Sequence, residues 1–277
     1  MKTQKIILAA LFAVAIAFTS CRKDEDVAQP DFTNRSATDN ATAENMFNDV
    51  FKQATDGMEN AKQTVEGNRS SYDALNTNAS VTIDPYDLTT FPKTITIDFG
   101  SVNEMCNDGN YRRGKVVIVT TGWYRDSGTV ITVTPDNYYV NDNLIEGMES
   151  LTNNGHNAAG NLNYDYFVDG TVTTTDGIIY FHSERNNEWI QGESTILNPW
   201  DDVYLVTGSA NGTNAEGEDY TMTITSPLRV QVGCHWVTAG ILVIQSGNYQ
   251  LIVDYGDGNC DGLVTVTYNG TDYQIYV

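Results

Sequence analysis

Basic residues are scarce. The 277-residue chain has 15 Lys+Arg against 36 Asp+Glu, a formal charge of −21. Nucleic-acid binding requires a basic surface that neutralises phosphates, so this balance argues against it. It argues equally against a polybasic patch on an anionic membrane. The chain has only 3 His, leaving little for acid–base or metal chemistry, and only 6 Pro to interrupt regular structure. The longest apolar run, from Ile6 to Phe18, is shorter than the roughly 20 residues a spanning helix needs. What the chain does have is 40% apolar residues, 23 Gly and 16 Tyr, the composition of a globular body with a sizeable core.

Lys2 and Lys5 followed by the run from Ile6 to Phe18 have the form of a secretory signal over residues 1–20. The run closes in Phe18-Thr19-Ser20-Cys21: small residues, which a peptidase can admit, before a thiol, which a lipid transferase needs. This resembles the lipobox of bacterial lipoproteins, and the resemblance implies lipidation of Cys21. Arg22-Lys23-Asp24-Glu25-Asp26 then resembles the surface-export signal of lipoproteins from the Bacteroidota. It implies an outer-membrane protein facing the exterior, with the membrane as a partner through its lipid. Each buried methylene adds about 0.8 kcal/mol, so several acyl chains would anchor the protein firmly. Cleavage removes two lysines and no acid, so the mature chain is two charges more negative still.

Residues 21–42 are read as a flexible tether, since from Val27 to Thr42 the chain is Asp-, Asn-, Thr-, Ala- and Ser-rich without a period. Residues 43–67 are read as an amphipathic helix, capped by Thr42 and closed by Gly67. Met46, Phe47, Val50, Phe51, Ala54, Met58, Ala61 and Val65 recur there at spacings of three and four. Such a stripe suits packing on the protein's own sheet.

Residues 68–277 form the third unit. From about Thr94 the period becomes two, as in Ile95, Ile97 and Phe99, Val117 and Val119, Tyr164, Tyr166 and Val168, and Leu251 and Val253. Asp108-Gly109, Asn154-Gly155, Asp169-Gly170, Asp176-Gly177, Asn211-Gly212 and Asn269-Gly270 are the expected turns. A dozen or more meandering strands without intervening helices exclude a parallel α/β sheet. The expected fold is mainly β: an antiparallel meander forming a β-sandwich or elongated jelly-roll-like fold, with one N-terminal helix. A transmembrane barrel would make the lipid on Cys21 redundant.

Two segments resemble one another. Ile97-Asp98-Phe99-Gly100 followed by Cys106-Asn107-Asp108-Gly109 matches Val253-Asp254-Tyr255-Gly256 followed by Cys260-Asp261-Gly262. Duplication and convergence both explain it. With Cys234-His235-Trp236 between them, the arrangement resembles lipoproteins of the Bacteroidota that supply no activity to carry over.

Beyond Cys21, the cysteines are Cys106, Cys234 and Cys260, an odd number for an oxidising compartment. Cys234 with Cys260 is the expected disulfide, since a meander brings their loops to one end; Cys106 with Cys260 is the alternative. A zinc site with His235 lacks a C-x-x-C clip. Asp257, Asn259 and Asp261 alternate along a loop before Gly262, the first half of a calcium loop, and Asp254 could add a carboxylate. Tyr268 stands where the bidentate Glu of an EF-hand would be, so a plain turn is the competing reading and Ca²⁺ a weak candidate.

No nucleophile elbow is present: Thr207-Gly208-Ser209-Ala210-Asn211 lacks the first Gly. Glu188 with Glu193, or Asp201 with Asp202, could act as a glycosidase pair about 5–9 Å apart. Trp123 with Tyr124, Tyr138 with Tyr139, Trp189 and Trp200 offer stacking platforms for sugars, one of each adjacent pair facing outward. The expectation is an anchored surface protein with a non-catalytic binding or structural role and a glycan or protein partner. A carbohydrate-binding protein or a glycoside hydrolase with paired carboxylates is the alternative.

Overall fold

The computed structural model describes residues 34–67, 79–195 and 198–277. The signal segment, Cys21 and the first part of the tether lie outside the described residues. One helix, α1 (Arg35–Val65), precedes the strands β1 (Ser80–Asp84), β2 (Lys93–Asp98), β3 (Glu104–Met105), β4 (Tyr111–Thr120), β5 (Val130–Val140), β6 (Asn143–His156) and β7 (Leu162–Thr174). Then follow β8 (Gly177–Gln191), β9 (Val203–Thr213), β10 (Asp219–Gln231), β11 (Val237–Ser246), β12 (Tyr249–Asp257), β13 (Leu263–Tyr268) and β14 (Thr271–Tyr276). They form one open 14-stranded antiparallel sheet in sequence order, with β3 pairing β4 off the main path. The mainly β meander with a single N-terminal helix is thus the observed fold.

The strands run between two ends. The β4–β5, β6–β7, β8–β9, β10–β11 and β12–β13 connections share one end with the β1–β2 loop; we call it the upper end. The β7–β8, β9–β10 and β11–β12 turns lie at the lower end. α1 runs from lower to upper. Near its start, Asp39 Oδ2 accepts from the Ala215 amide at 2.8 Å and Ser36 Oγ donates to Ser246 Oγ at 2.9 Å. Near its finish, Lys62 lies 5.4 Å from the Trp123 ring centroid and the Thr64 carbonyl accepts from Tyr86 at 3.3 Å. At 1.5 Å per residue α1 is about 46 Å long, matching about 50 Å for the 15 residues of β8.

The helix therefore starts at Arg35, not at residue 43, and its N-cap is Asn34, whose Oδ1 accepts from the Ser36 amide at 2.8 Å. The added turns have no apolar stripe. Their buried side chains Ser36, Asp39 and Asn40 are polar, and two of them bond to the lower turns, a stabilisation that hydrophobic periodicity does not register.

The sheet rolls around α1, so opposite stretches of one sheet enclose a single core as two sheets of a sandwich would. Thr38, Asn45 and Lys52, seven apart, form an exposed line on a helix otherwise largely covered. The apolar strand faces point inward, while β7 turns Asn163, Asp165 and Asp169 outward, the reverse of a membrane barrel.

Two expectations fail locally. In β4 the core positions are Val116 and Ile118, and Val119 is exposed. Four apolar residues in a row carry no face preference; pairing of Val116 with Ile97 and of Ile118 with Ile95 decides it. Asn154-Gly155, Asp169-Gly170 and Asn211-Gly212 lie inside β6, β7 and β9 rather than at turns. Gly170 admits the helix: a Cβ there would stand 2.6 Å from Phe47 Cζ. The paired segments end in the same turn, with the Asp98 and Asp254 carboxylates each accepting from the glycine amide two residues on at 2.9 Å. They lie at opposite ends of the sheet.

Ionic contacts fix the helix within the roll. Arg112, 1% exposed, donates to both Asp49 oxygens and to Asp108, and Tyr138 donates to Asp49 Oδ2 at 2.7 Å. Arg185 donates to Glu44. Tyr166 donates to Glu149 Oε2 at 2.9 Å, and burial pushes that carboxyl well above the usual carboxylate range. Phe47 stacks on Phe181, centroids 5.8 Å apart. Phe47→Ala should cost about 3–5 kcal/mol in chemical denaturation; a loss below about 1 kcal/mol would show that the helix is not the core.

Candidate binding site at the upper end

All four tryptophans of the chain stand at the upper end: Trp123 after β4, Trp189 near the end of β8, Trp200 before β9 and Trp236 before β11. Pairing in the meander puts β8 beside both β7 and β9, so inner-face residues near the mouth of the roll face one another. Trp189 pairs directly with Tyr204, ring centroids 5.6 Å apart and nearly parallel. Tyr124 reaches in from the β4–β5 loop to stack on Tyr164 at 5.2 Å. The Arg125 guanidinium lies 5.4 Å from the Trp189 centroid. Together these rings close the upper mouth. Trp200 is 59% exposed on the outside.

Trp123 takes a different role. It packs edge-on against Phe91, donates from its indole to the Leu88 carbonyl at 3.2 Å and has Lys93 5.9 Å from its centroid. Lys93 is fully buried, yet satisfied by the Pro85 carbonyl at 3.2 Å and Asp87 at 3.1 Å. Of the remaining proposed platform, Tyr138 is buried in the core on Asp49, and Tyr139 lies under the Arg113 guanidinium at 3.7 Å. That pair is not part of the upper cluster.

The carboxylates sort by environment. Asp202 is 2% exposed behind Trp189; burial, reinforced by the neighbouring Asp201 charge, pushes its carboxyl up to about 6. Asp201 is exposed and accepts from Thr195 Oγ1 at 2.8 Å. Glu188 accepts from Asn157 and Asn161, both at 2.7 Å, and these donors hold it below the usual range. Glu193 meets His156 Nε2 at 2.7 Å. The bonds of Glu188 and Glu193 thus point to different partners, not to a shared reacting centre. Burial raises the Tyr164 and Tyr204 hydroxyls, keeping both neutral.

Beside this cluster, Cys234 and Cys260 are joined in a disulfide with Cα atoms 5.8 Å apart, and Cys106 is a buried free thiol. The Cys106–Cys260 alternative is thereby corrected: the β2–β4 loop that carries Cys106 lies at the lower end. The staple ties the β10–β11 loop to the β12–β13 loop, where Trp236 donates to the Val277 carbonyl at 2.8 Å.

The calcium candidates behave as turn residues. Asp254 caps Gly256, Asp257 accepts from Asn259 at 3.0 Å, and Asp261 accepts from the Leu263 amide at 3.0 Å. Among the described residues, no three His, Cys, Asp or Glu side chains gather as a group able to hold a metal.

Comparison with known protein families, curated proteins and solved structures gives no match.

Two outcomes are expected. The folded state binds a proton on Asp202 more tightly than the unfolded chain, so this group's stability contribution is full near pH 4 and is lost as pH rises through 6. Asp202→Asn should accordingly exceed wild type by on the order of 1–2 kcal/mol at pH 7.5 and match it at pH 4; parallel denaturation curves at both pH values check this. Breaking the 26-residue link with Cys260→Ser should remove about 3.5 kcal/mol in the chain-entropy account, read as a lower melting temperature.

Proposed function

We propose that the chain is a lipid-anchored protein of the outer membrane, facing the exterior, which binds rather than catalyses and presents its upper end to its partner. The lipobox-like Phe18-Thr19-Ser20-Cys21 and the charged run after it support the anchor and the export. The direction of α1 carries the rest. The lipidated residue joins the body through Asn34, at the lower end, and the 13 peptide steps between them reach about 45 Å at most when extended. The lower turns then sit nearer the membrane, and the aromatic end, with exposed Trp200 and Arg125, stands about one helix length further out.

A hydrolase using Asp201 and Asp202 is the second reading. The raised carboxyl of Asp202 beside an indole favours it, because such a group is a competent general acid near neutral pH. Its burial, with Asp201 pointing away to Thr195, supports binding instead.

Cys21→Ser should move the protein from the membrane to the soluble fraction, and continued membrane fractionation would contradict the anchor. On intact cells, a membrane-impermeant maleimide should label Ala158→Cys in the β6–β7 loop faster than Glu216→Cys in the β9–β10 turn. Equal labelling would remove the orientation, and labelling of neither would remove the exterior display.

A further inference from the structure

We propose that Asn269, in the turn between β13 and β14, is the site at which this chain deamidates spontaneously, its side-chain amide being hydrolysed by way of a cyclic imide formed with the Gly270 nitrogen. The proposal stands apart from the upper end and from the anchor.

The chain has three Asn-Gly dipeptides, Asn154-Gly155, Asn211-Gly212 and Asn269-Gly270. In each, the residue that supplies the attacking nitrogen has no side chain to hinder it. By sequence the three are equivalent, and their places in the sheet separate them.

Asn154 and Asn211 are held. Asn154 lies in β6, where its Nδ2 donates to Asn163 Oδ1 at 3.2 Å and the buried Gly155 amide donates to Asn153 Oδ1 at 2.8 Å. The nitrogen that would attack is both covered and engaged. Asn211 lies in β9, opposite His182 on β8 and Thr221 on β10, and Gly212 stands opposite Phe181 and Tyr220. A strand with a neighbour on each side spends its backbone N–H groups in the ladder and stays extended.

Asn269 meets none of these restraints. Tyr268 pairs with Thr271, so Asn269 and Gly270 form the two-residue loop of a hairpin, with φ of 50° and 75°, as a type I′ turn requires. Both are exposed. Neither the Asn269 side chain nor the Gly270 amide makes a hydrogen bond among the described residues. β14 is the last strand in the sheet order and pairs with β13 alone. An edge hairpin opens locally at lower cost than strands inside a sheet.

The chemistry needs only water. The Gly270 nitrogen gives its proton to a base in solvent and bonds to Asn269 Cγ, and the Cγ–Nδ2 bond breaks to release ammonia. Water then adds to either carbonyl of the imide and the ring carbon–nitrogen bond breaks, leaving aspartate or its β-linked isomer. In sum, an amide and water become a carboxylic acid and ammonia, with no oxidant or reductant. The product places one more negative charge in the turn that leads into β14.

The test ages the full chain in mildly alkaline buffer, either folded or unfolded in guanidinium chloride, and follows its tryptic peptides by mass spectrometry. Cleavage after Arg125, Arg185 and Arg229 puts each Asn-Gly dipeptide in a peptide of its own, and fragmentation locates the gain of one mass unit. In the folded chain Asn269 is expected to react at least tenfold faster than Asn154 or Asn211, and unfolding should bring the three to similar rates. Asn269→Gln, which can close only a larger and slower-forming ring, should abolish the gain in the last peptide. Equal rates at the three sites in the folded chain, an intact Asn269 where the unfolded chain reacts, or a gain that persists in the last peptide of Asn269→Gln would each overturn the proposal.

Discussion

The inner face of the sheet has to be covered, and α1 is what covers it. Fourteen strands in sequence order present one long apolar face, and a flat sheet of that width would leave it in water. Rolling the sheet brings the face onto itself, but a roll of that circumference needs a filling. A helix as long as the longest strand supplies it, with Phe47, Val50, Phe51, Ala54 and Met58 buried along its length. The glycine at 170 belongs to the same arrangement, since a side chain there would hold the Phe47 ring away.

Apolar burial alone would let a helix slide or rotate in such a trough. The buried ion pairs are directional. Arg112 engages Asp49 from β4 while Tyr138 engages it from β5, and Arg185 reaches Glu44 from β8. Removing one partner of such a pair leaves a charge stranded in the interior, so the pairs specify position even where their net contribution to stability is small. Glu149 shows the alternative: among the described residues it makes no ion pair, and burial favours its protonated form while Tyr166 donates to it. The interior is thus polar in its middle layers and aromatic at the upper mouth, where Trp189, Tyr204, Tyr124 and Tyr164 stack in pairs.

The polypeptide pattern announced this architecture unevenly. Alternation over Tyr164, Tyr166 and Val168 or Leu251 and Val253 was readable because one side of those strands is wet. In β4, Val116 to Val119 are apolar throughout, and only pairing with β2 chooses the inner pair. Asn-Gly and Asp-Gly dipeptides are ambiguous for a similar reason: the lack of a side chain serves a turn, as at Asn269-Gly270, or the close approach of a helix, as at Gly170. The first turns of α1 were invisible to periodicity because Ser36 and Asp39 are buried by hydrogen bonds rather than by apolar contact. Cys234 and Cys260 could be paired in advance because a simple meander places their loops at the same end. The candidate site was half legible: Trp189, Trp200 and Asp202 were named, Tyr138 and Tyr139 lie away from it on β5, and Tyr164, Asn187 and Tyr204 carried no mark beyond strand alternation.

Local chemistry alone determined the strand-rich class, the helical stripe, the acidic surface and the resemblance of the amino end to a lipid-attachment signal, because each depends on neighbours within a few residues. Which face of β4 lies inward, how far α1 extends, and the meeting of Tyr164, Asn187, Trp189 and Asp202 at one mouth were decided by folding. Those facts depend on strand register and on the curl of the sheet, which bring together residues as far apart in the chain as Ser36 and Ser246.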